Sequence, residues 1–238
     1  MEFVYIKPGK FIMGVPEGDP NHIGDEKPIS VTFSEGFYMQ TTEVTQGQWT
    51  NVMGRNPSDF KNCGADCPVE TVSWNDVQLF IKILNFKDKT GKYRLPYEAE
   101  WEYACRAGTT TPFSFGTCIT SDQVNYCGKL PLPGCHESAF FKKTTPVASY
   151  PPNQWGLYDM HGNVEEWCED WYFVNFIYTP KKYPIQNLYQ VMPKEFRYKV
   201  VRGGYYGSEA LYSRSANRFR HGPIVKYSDT GFRLVLTP

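Results

Sequence analysis

Seven cysteines and four histidines are the residues of this 238-residue chain best suited to redox, nucleophilic or metal chemistry. No Cys-x-x-Cys pair occurs, and His22, His136, His161 and His221 are scattered. The ligand spacing of a zinc site is therefore missing. Cys63 and Cys67 flank Gly-Ala-Asp, a turn-like spacer that can close a small disulfide loop, and Cys118, Cys127 and Cys135 share one loop-rich region. Two readings stand: disulfides in an exported protein, or buried free thiols in a reducing compartment. The first is preferred. Cys105 and Cys168 sit in apolar contexts and read as core thiols either way. Glu98, Glu100 and Glu102 form an acidic run. On a helix only Glu98 and Glu102 share a face, and such a pair reads as solvated or salt-bridged rather than as acid–base machinery. His161 reads as a turn or core histidine and His221 as a contact residue, since neither has an evident nucleophile beside it.

The other stretch with chemical character is residues 200–236. Arg202-Gly203-Gly204, Arg214-Ser215-Ala216-Asn217-Arg218 and Gly231-Phe232-Arg233-Leu234 form a stiff frame. Between them the side chains follow neither a helical nor a strand period. Tyrosine offers a large, stiff, amphipathic contact surface, and glycine and serine offer adaptable spacing. An apolar run outside any core period makes an exposed patch, and such patches mark binding sites. The candidate ligand-binding residues are Tyr205, Tyr206, Ser208, Leu211, Tyr212, Phe219, Arg220, His221, Ile224, Val225, Tyr227 and Asp229. The competing reading makes Tyr205, Tyr206 and Tyr212 ordinary core or sheet-edge aromatics.

The earlier chain must position this run. Residues 3–6 and 11–14 read as a hairpin turned at Pro8-Gly9, and residues 29–44 as a second strand pair turned at Glu35-Gly36. Thr45 caps a helix that Gly54 stops. A second helix starts near Ser73, with Val77, Phe80, Ile81 and Leu84 on one face, and Thr90-Gly91 ends it. Tyr93-Arg94-Leu95 is a short strand, and Pro96 opens a third helix over 97–106, ended by Gly108. Residues 109–152 and 174–194 read as loops. Val200-Val201 and residues 232–235 read as the last strands. Without repeat or linker, the chain reads as one α+β domain over 1–238, with small antiparallel sheets and short helices.

The formal net charge is +0, with no basic run, which removes the electrostatic case for nucleic acid or an anionic membrane surface. No apolar run reaches the about 18 residues of a membrane span.

Several segments together resemble the formylglycine-generating-enzyme-like (sulfatase-modifying-factor) family. These are Phe11-x-Met13-Gly14, Glu43-Val44-Thr45, Pro68-Val69-Glu70, Val72-Ser73-Trp74 and Tyr93-Arg94-Leu95-Pro96. Further on come the run from Glu98 to Ala104, Trp155-Gly156-Leu157-Tyr158-Asp159-Met160-x-Gly162-Asn163-Val164-x-Glu166-Trp167, Arg202-Gly203-Gly204 and Gly231-Phe232-Arg233. The resemblance covers nearly the whole chain in order and implies a loop-rich C-type-lectin-like fold. It also implies a structural calcium at Asp159, Gly162, Val164 and Glu166, for which oxygen ligands on a tight turn are suited. A hydrogen-bonded charged turn is the alternative. Glu165 takes the place of an expected tryptophan.

The enzymes of that family carry two redox cysteines after the Arg-Gly-Gly motif, whereas residues 200–238 contain none. Ser208 stands roughly where the first would be. Thiolate or copper chemistry needs those sulfurs, so the chain is expected not to be an enzyme. The iron-dependent sulfoxide synthases of a related branch use a separate histidine-bearing bundle, which is missing too. The final segment is similar instead to the variable proteins of diversity-generating retroelements. There, adenine-directed rewriting scatters AAC codons into Tyr, Ser, Gly, Asp, His, Leu, Phe, Val and Ile, a set that fits the run between the anchors. The resemblance implies a non-catalytic, diversified ligand-binding surface at a bacterial cell surface. It also implies a lipid anchor through an N-terminal segment absent here, and the tyrosine-rich patch itself favours a protein ligand, on another cell or host surface. An enzyme with unrecognised chemistry is the alternative.

Overall fold

The structure, a computed structural model, describes residues 1–16, 18–89, 91–173 and 197–237. The expected loop over 174–194 lies outside them, as does Thr90. Among the described residues, three α-helices and ten short strands carry long stretches of irregular chain. Strands β1 (Phe3–Ile6), β4 (Phe37–Gln40), β10 (Val235–Leu236) and β5 (Tyr93–Arg94) form one sheet in the order β1-β4-β10-β5. Strands β2 (Gly9–Met13) and β3 (Ile29–Phe33) form a two-stranded sheet. The third sheet runs β8 (Phe219–His221), β7 (Lys199–Arg202), β6 (Glu165–Trp171), β9 (Thr230–Gly231), with β6 and β9 parallel. Residues 199–236 thus contribute to two sheets.

Both expected strand pairings are corrected. β1 pairs with β4, and β2 with β3, so neither 3–14 nor 29–44 is a hairpin. A tight hairpin needs a turn with positive φ. Pro8 holds φ near −65°, and Gly9 is absent from the positive-φ residues. Gly9 is instead a point of close approach, where a Cβ would collide with the Tyr103 hydroxyl.

The helices follow their local signals. Thr45 caps α1 (Gln46–Met53) through a capping box with Gln48, and Gly54 closes it at φ +78°. Ser73 caps α2 (Trp74–Asp88) with Asp76. Its left-handed C-cap is Lys89 rather than Gly91. α2 turns Val77, Phe80 and Ile81 into a core with Trp49 and Phe232; the Trp49 and Phe80 rings stack at 5.1 Å. α3 (Glu98–Arg106) is buried along its whole length, including its three glutamates. Burying carboxylates without partners is costly, and each of the three is met by an arginine. Arg218 forks onto Glu98 at 2.7 and 3.0 Å, and Arg202 meets Glu102. Arg106 bonds the other Glu102 oxygen at 2.9 Å, and Arg94 forks onto Glu100. Burial alone would raise the Glu98 carboxyl, but Arg218 and Arg202 override it and hold it below the usual range.

Residues 109–152 build a small core of their own from Phe113, Ile119, Val124, Tyr126 and Leu132. A disulfide joins Cys118 to Cys135 across this region, and another joins Cys63 to Cys67. Cys105, Cys127 and Cys168 are free and buried. The Cys118–Cys135 bridge spans a sequence separation of 17. Closing a loop of that size stabilises by about 3 kcal/mol through the unfolded chain. The C118A/C135A variant is expected to lose about that much in urea unfolding. The four-residue separation of Cys63 and Cys67 predicts a smaller loss for C63A/C67A.

Candidate functional site

The third sheet ends in a cleft of about 360 Å³ built almost wholly by the C-terminal segment. Tyr205, Ser208, Tyr212, Phe219, His221 and Asp229 of the expected contact set line it. The backbone that carries them is fixed by the frame. Gly203 and Gly204 turn the chain out of β7 at φ +97° and +70°, where a side chain would be strained. A 3-10 turn, Ala210–Ser213, follows. Arg214 then goes inward, forking onto Glu26 at 2.7 and 2.9 Å, and Arg218 goes inward onto Glu98 and Asp25. Arg233 forks onto Glu166 at 2.7 Å on both oxygens.

Between these buried anchors the side chains come out. Phe219 is 49% exposed, Tyr212 44%, Tyr227 42% and Ile224 75%. Arg220 is exposed on the other side of β8, over the rings of Tyr172 and Tyr198 at 4.7 and 5.4 Å, away from the cleft-facing residues. Tyr205 and Tyr206 are half-buried and meet edge to face at 5.3 Å, with Tyr206 also against Phe60. Val225 is half-buried, and Leu211 packs on the small core beneath the 109–152 loops. Ser208 differs from the rest. It is buried, and its hydroxyl accepts from the Tyr205 amide at 3.0 Å, fixing the turn from below.

Sequence reasoning passed over three residues of the cleft: Glu165, Glu209 and Asn217. Glu165 left a signal, because it replaces an expected tryptophan. It accepts from His221 Nε2 at 2.7 Å, and both side chains are largely shielded from solvent. Burial raises the Glu165 carboxyl, and the hydrogen bond from His221 opposes that rise. Asp229 completes the group, with the ligating atoms of Glu165, His221 and Asp229 all within 4.8 Å of one another.

At the implied calcium site the Glu166 carboxylate already faces a buried cation, the Arg233 guanidinium. Glu166 gives both oxygens to Arg233 and also accepts from Trp101 Nε1 at 2.8 Å. A divalent cation on those oxygens would stand against the guanidinium, which already supplies the positive charge. Asp159 is buried and accepts from the Ala148 amide at 2.7 Å. Burial raises its pKa to about 6. Glu43 is raised as well, first by burial and then by Asp159. Gly162 has φ +78°, and a Cβ there would strike the Asn125 carbonyl, so its glycine is accounted for by packing. Val164 is buried with them.

Cys105 and Cys168 lack nucleophilic character. Burial pushes Cys105 up to about 12 and raises Cys168 as well, leaving both as neutral thiols. His161 is a core residue. Its Nδ1 lies 2.8 Å from the Ser213 carbonyl, and its Nε2 accepts from the Ser114 amide at 3.1 Å. A carbonyl only accepts, so Nδ1 carries the proton and the ring is neutral. Burial depresses its pKa from 6.5 to about 4. The unfolded chain therefore takes the proton first as pH falls. The stability from this site is complete above pH 6.5 and is lost as pH falls through 4, by about 3 kcal/mol. Asp159, with its raised pKa, works in the opposite direction over much of that window. The comparison is thus with His161→Gln, whose urea midpoint is expected to fall less between pH 7 and 4.5 than that of the unaltered protein.

The description "Sulfatase-modifying factor enzyme 1-like domain" matches residues 1–238. The chain belongs to this family. It is 33% identical over 98% of its length to the serine/threonine-protein kinase pkn1 of Chlamydia caviae, covering 37% of that protein. It is 35% identical to the formylglycine-generating enzyme of Mus musculus over 70% of this chain and 43% of the enzyme. The family member thus spans well under half the length of both relatives. Two solved structures superpose on nearly all of it. PvdO from Pseudomonas aeruginosa has a TM-score of 0.80 at 29% identity, covering 99% of this chain and 94% of PvdO. Treponema denticola variable protein 1 has a TM-score of 0.77 at 27% identity, covering 99% of this chain and 95% of that one. The fold is the C-type-lectin-like fold of the formylglycine-generating-enzyme type. In this family member the described helices include none long and apolar enough to cross a membrane.

Proposed function

We propose that the protein is a non-catalytic binding protein that displays a diversified, tyrosine-rich surface on this scaffold. One observation carries the reading: along residues 202–236 the frame residues are buried in ion pairs and core, while most residues between them face solvent or the cleft. Such a division lets side chains change without a change of backbone. The likeness to a Treponema denticola variable protein over 99% of the chain supports it. The ligand in this reading is a protein, since tyrosine side chains around a cleft are usual anchors of protein interfaces. The place is the exterior of a bacterial cell, attached by lipid. The two disulfides support an oxidising compartment.

The test is to sequence the DNA around the gene. The reading expects a near-copy of the segment encoding residues 200–236, with differences confined to adenines, and a reverse transcriptase gene nearby. Without such a repeat the diversification reading falls.

The second reading, an enzyme, draws on the 35% identity to a formylglycine-generating enzyme. Against it stand the missing cysteines of residues 200–238 and the buried, neutral Cys105 and Cys168. Incubation with copper and a cysteine-containing sulfatase-motif peptide is expected to leave the peptide unchanged. Formylglycine in the product would overturn the non-catalytic reading.

A further inference from the structure

We infer that Glu165, His221 and Asp229 form a binding site for a divalent first-row transition-metal ion at the floor of the cleft. The inference stands on this chain's own residues and does not depend on whether the surface is diversified.

The first argument is donor chemistry. One imidazole nitrogen and two carboxylate oxygens lie within 4.8 Å of one another. Nitrogen with oxygen suits zinc, manganese, iron or cobalt, whereas calcium and magnesium favour oxygen alone. Bond lengths to such ions are about 2.0–2.2 Å, which places neighbouring donors roughly 3–3.5 Å apart. Closing the site therefore needs a shift of about an ångström, and the rotatable carboxylates can supply it. His221 has less freedom. Its ring is packed against Tyr227 at 4.6 Å, Phe219 at 5.3 Å and Trp167 at 5.8 Å.

The second argument is charge. Among the described residues the cleft is lined by Glu165, Glu209 and Asp229, with His221 as the one basic group and no lysine or arginine in its wall. Even a protonated His221 leaves the three-residue cluster with an excess negative charge. A divalent cation cancels the charge of both carboxylates. Coordination takes the His221 Nε2 lone pair, so a neutral ring carries its proton on Nδ1 in the bound state, and only a doubly protonated ring releases one on uptake.

The third argument is support. Glu165 opens β6, His221 ends β8, and Asp229 precedes β9 in the same sheet. The Glu165 amide donates to the Asp229 carbonyl at 2.7 Å, locking the two backbones together. Thr230 Oγ1 donates to Asp229 Oδ1 at 2.9 Å, leaving the other oxygen for an ion. Outer hydrogen bonds of this kind orient metal ligands. Three protein ligands leave coordination positions open toward the cleft, where solvent or an oxygen donor of a bound partner can enter.

The experiment is isothermal titration of chelator-stripped, tag-free protein, disulfides intact, with zinc and separately with manganese. Cobalt absorbance reads the ligand field. One ion per chain is expected for zinc, with visible cobalt bands. Asp229→Asn and Glu165→Gln should each weaken zinc binding at least tenfold, in line with the cost of altering metal-site residues. His136→Ala, which removes an exposed imidazole, should leave it unchanged. Zinc should raise the Tm of the unaltered protein but not that of Asp229→Asn. Among the described residues Asp229 makes no ion pair with lysine or arginine, so this variant keeps the test meaningful if Glu165→Gln unfolds. Absence of stoichiometric binding, or equal affinity in the unaltered protein and Asp229→Asn, overturns the inference.

Discussion

Arg233→Met is expected to destabilise the protein by about 3–5 kcal/mol, the cost of stripping one partner from a buried ion pair. Arg233 and Glu166 are both almost fully buried. The guanidinium also donates to the carbonyls of Tyr158, Gln40 and Thr41. The substitution leaves a carboxylate in the interior, beside the Glu43 and Asp159 carboxyls whose charges already oppose it. The loss would be a large share of the 5–15 kcal/mol typical of a domain. Adding Glu166→Gln removes the orphaned charge and keeps an acceptor for Trp101 Nε1. Arg233→Met/Glu166→Gln is therefore expected to recover part of the loss. Urea unfolding followed by tryptophan fluorescence measures both. A single variant as stable as the unaltered protein would show that the pair does not hold the frame.

The second large effect separates two phenylalanines of the same segment. Phe232 is 0% exposed and sits edge-on to Phe80 at 5.4 Å and Trp49 at 6.0 Å. Phe232→Ala leaves a cavity in a closed core and is expected to cost about 3–5 kcal/mol. Phe219 lies on edge strand β8 with half its surface in solvent. Phe219→Ala is expected to stay within about 0.5 kcal/mol, as surface changes do, while weakening capture of a ligand. Both variants can be read in one thermal melt. Similar losses at the two positions would contradict the division between frame and surface.

The helices were legible because their signals are local. Thr45, Gly54 and Ser73 act through hydrogen bonds or backbone angles within a few residues. The frame of the C-terminal segment was legible as well, since glycine pairs and repeated arginines have few other uses. Strand pairing was not. β1 meets β4 across about thirty residues, and nothing in Phe3–Ile6 itself names that partner. The glutamates of α3 show the same limit. Spacing placed Glu98 and Glu102 on one face, but only the fold brings Arg202 and Arg218 onto them from 100 and 120 residues away. Ser208 was grouped with the contact residues because serine is at home on a binding surface, yet its hydroxyl serves the Tyr205 turn. Glu165 was seen as a departure from a motif. Its meaning needed His221 and Asp229, which the sequence places 56 and 64 positions later.

A protease-resistance scan of every single substitution across residues 200–236 tests most directly whether the frame and the displayed surface are separate. Tolerance is expected at Tyr212, Phe219, Arg220, Ile224 and Tyr227, and loss of folding at Arg202, Arg214, Arg218, Phe232 and Arg233. If the first group proves as intolerant as the second, those side chains belong to the fold and are not free to serve as a changeable binding surface.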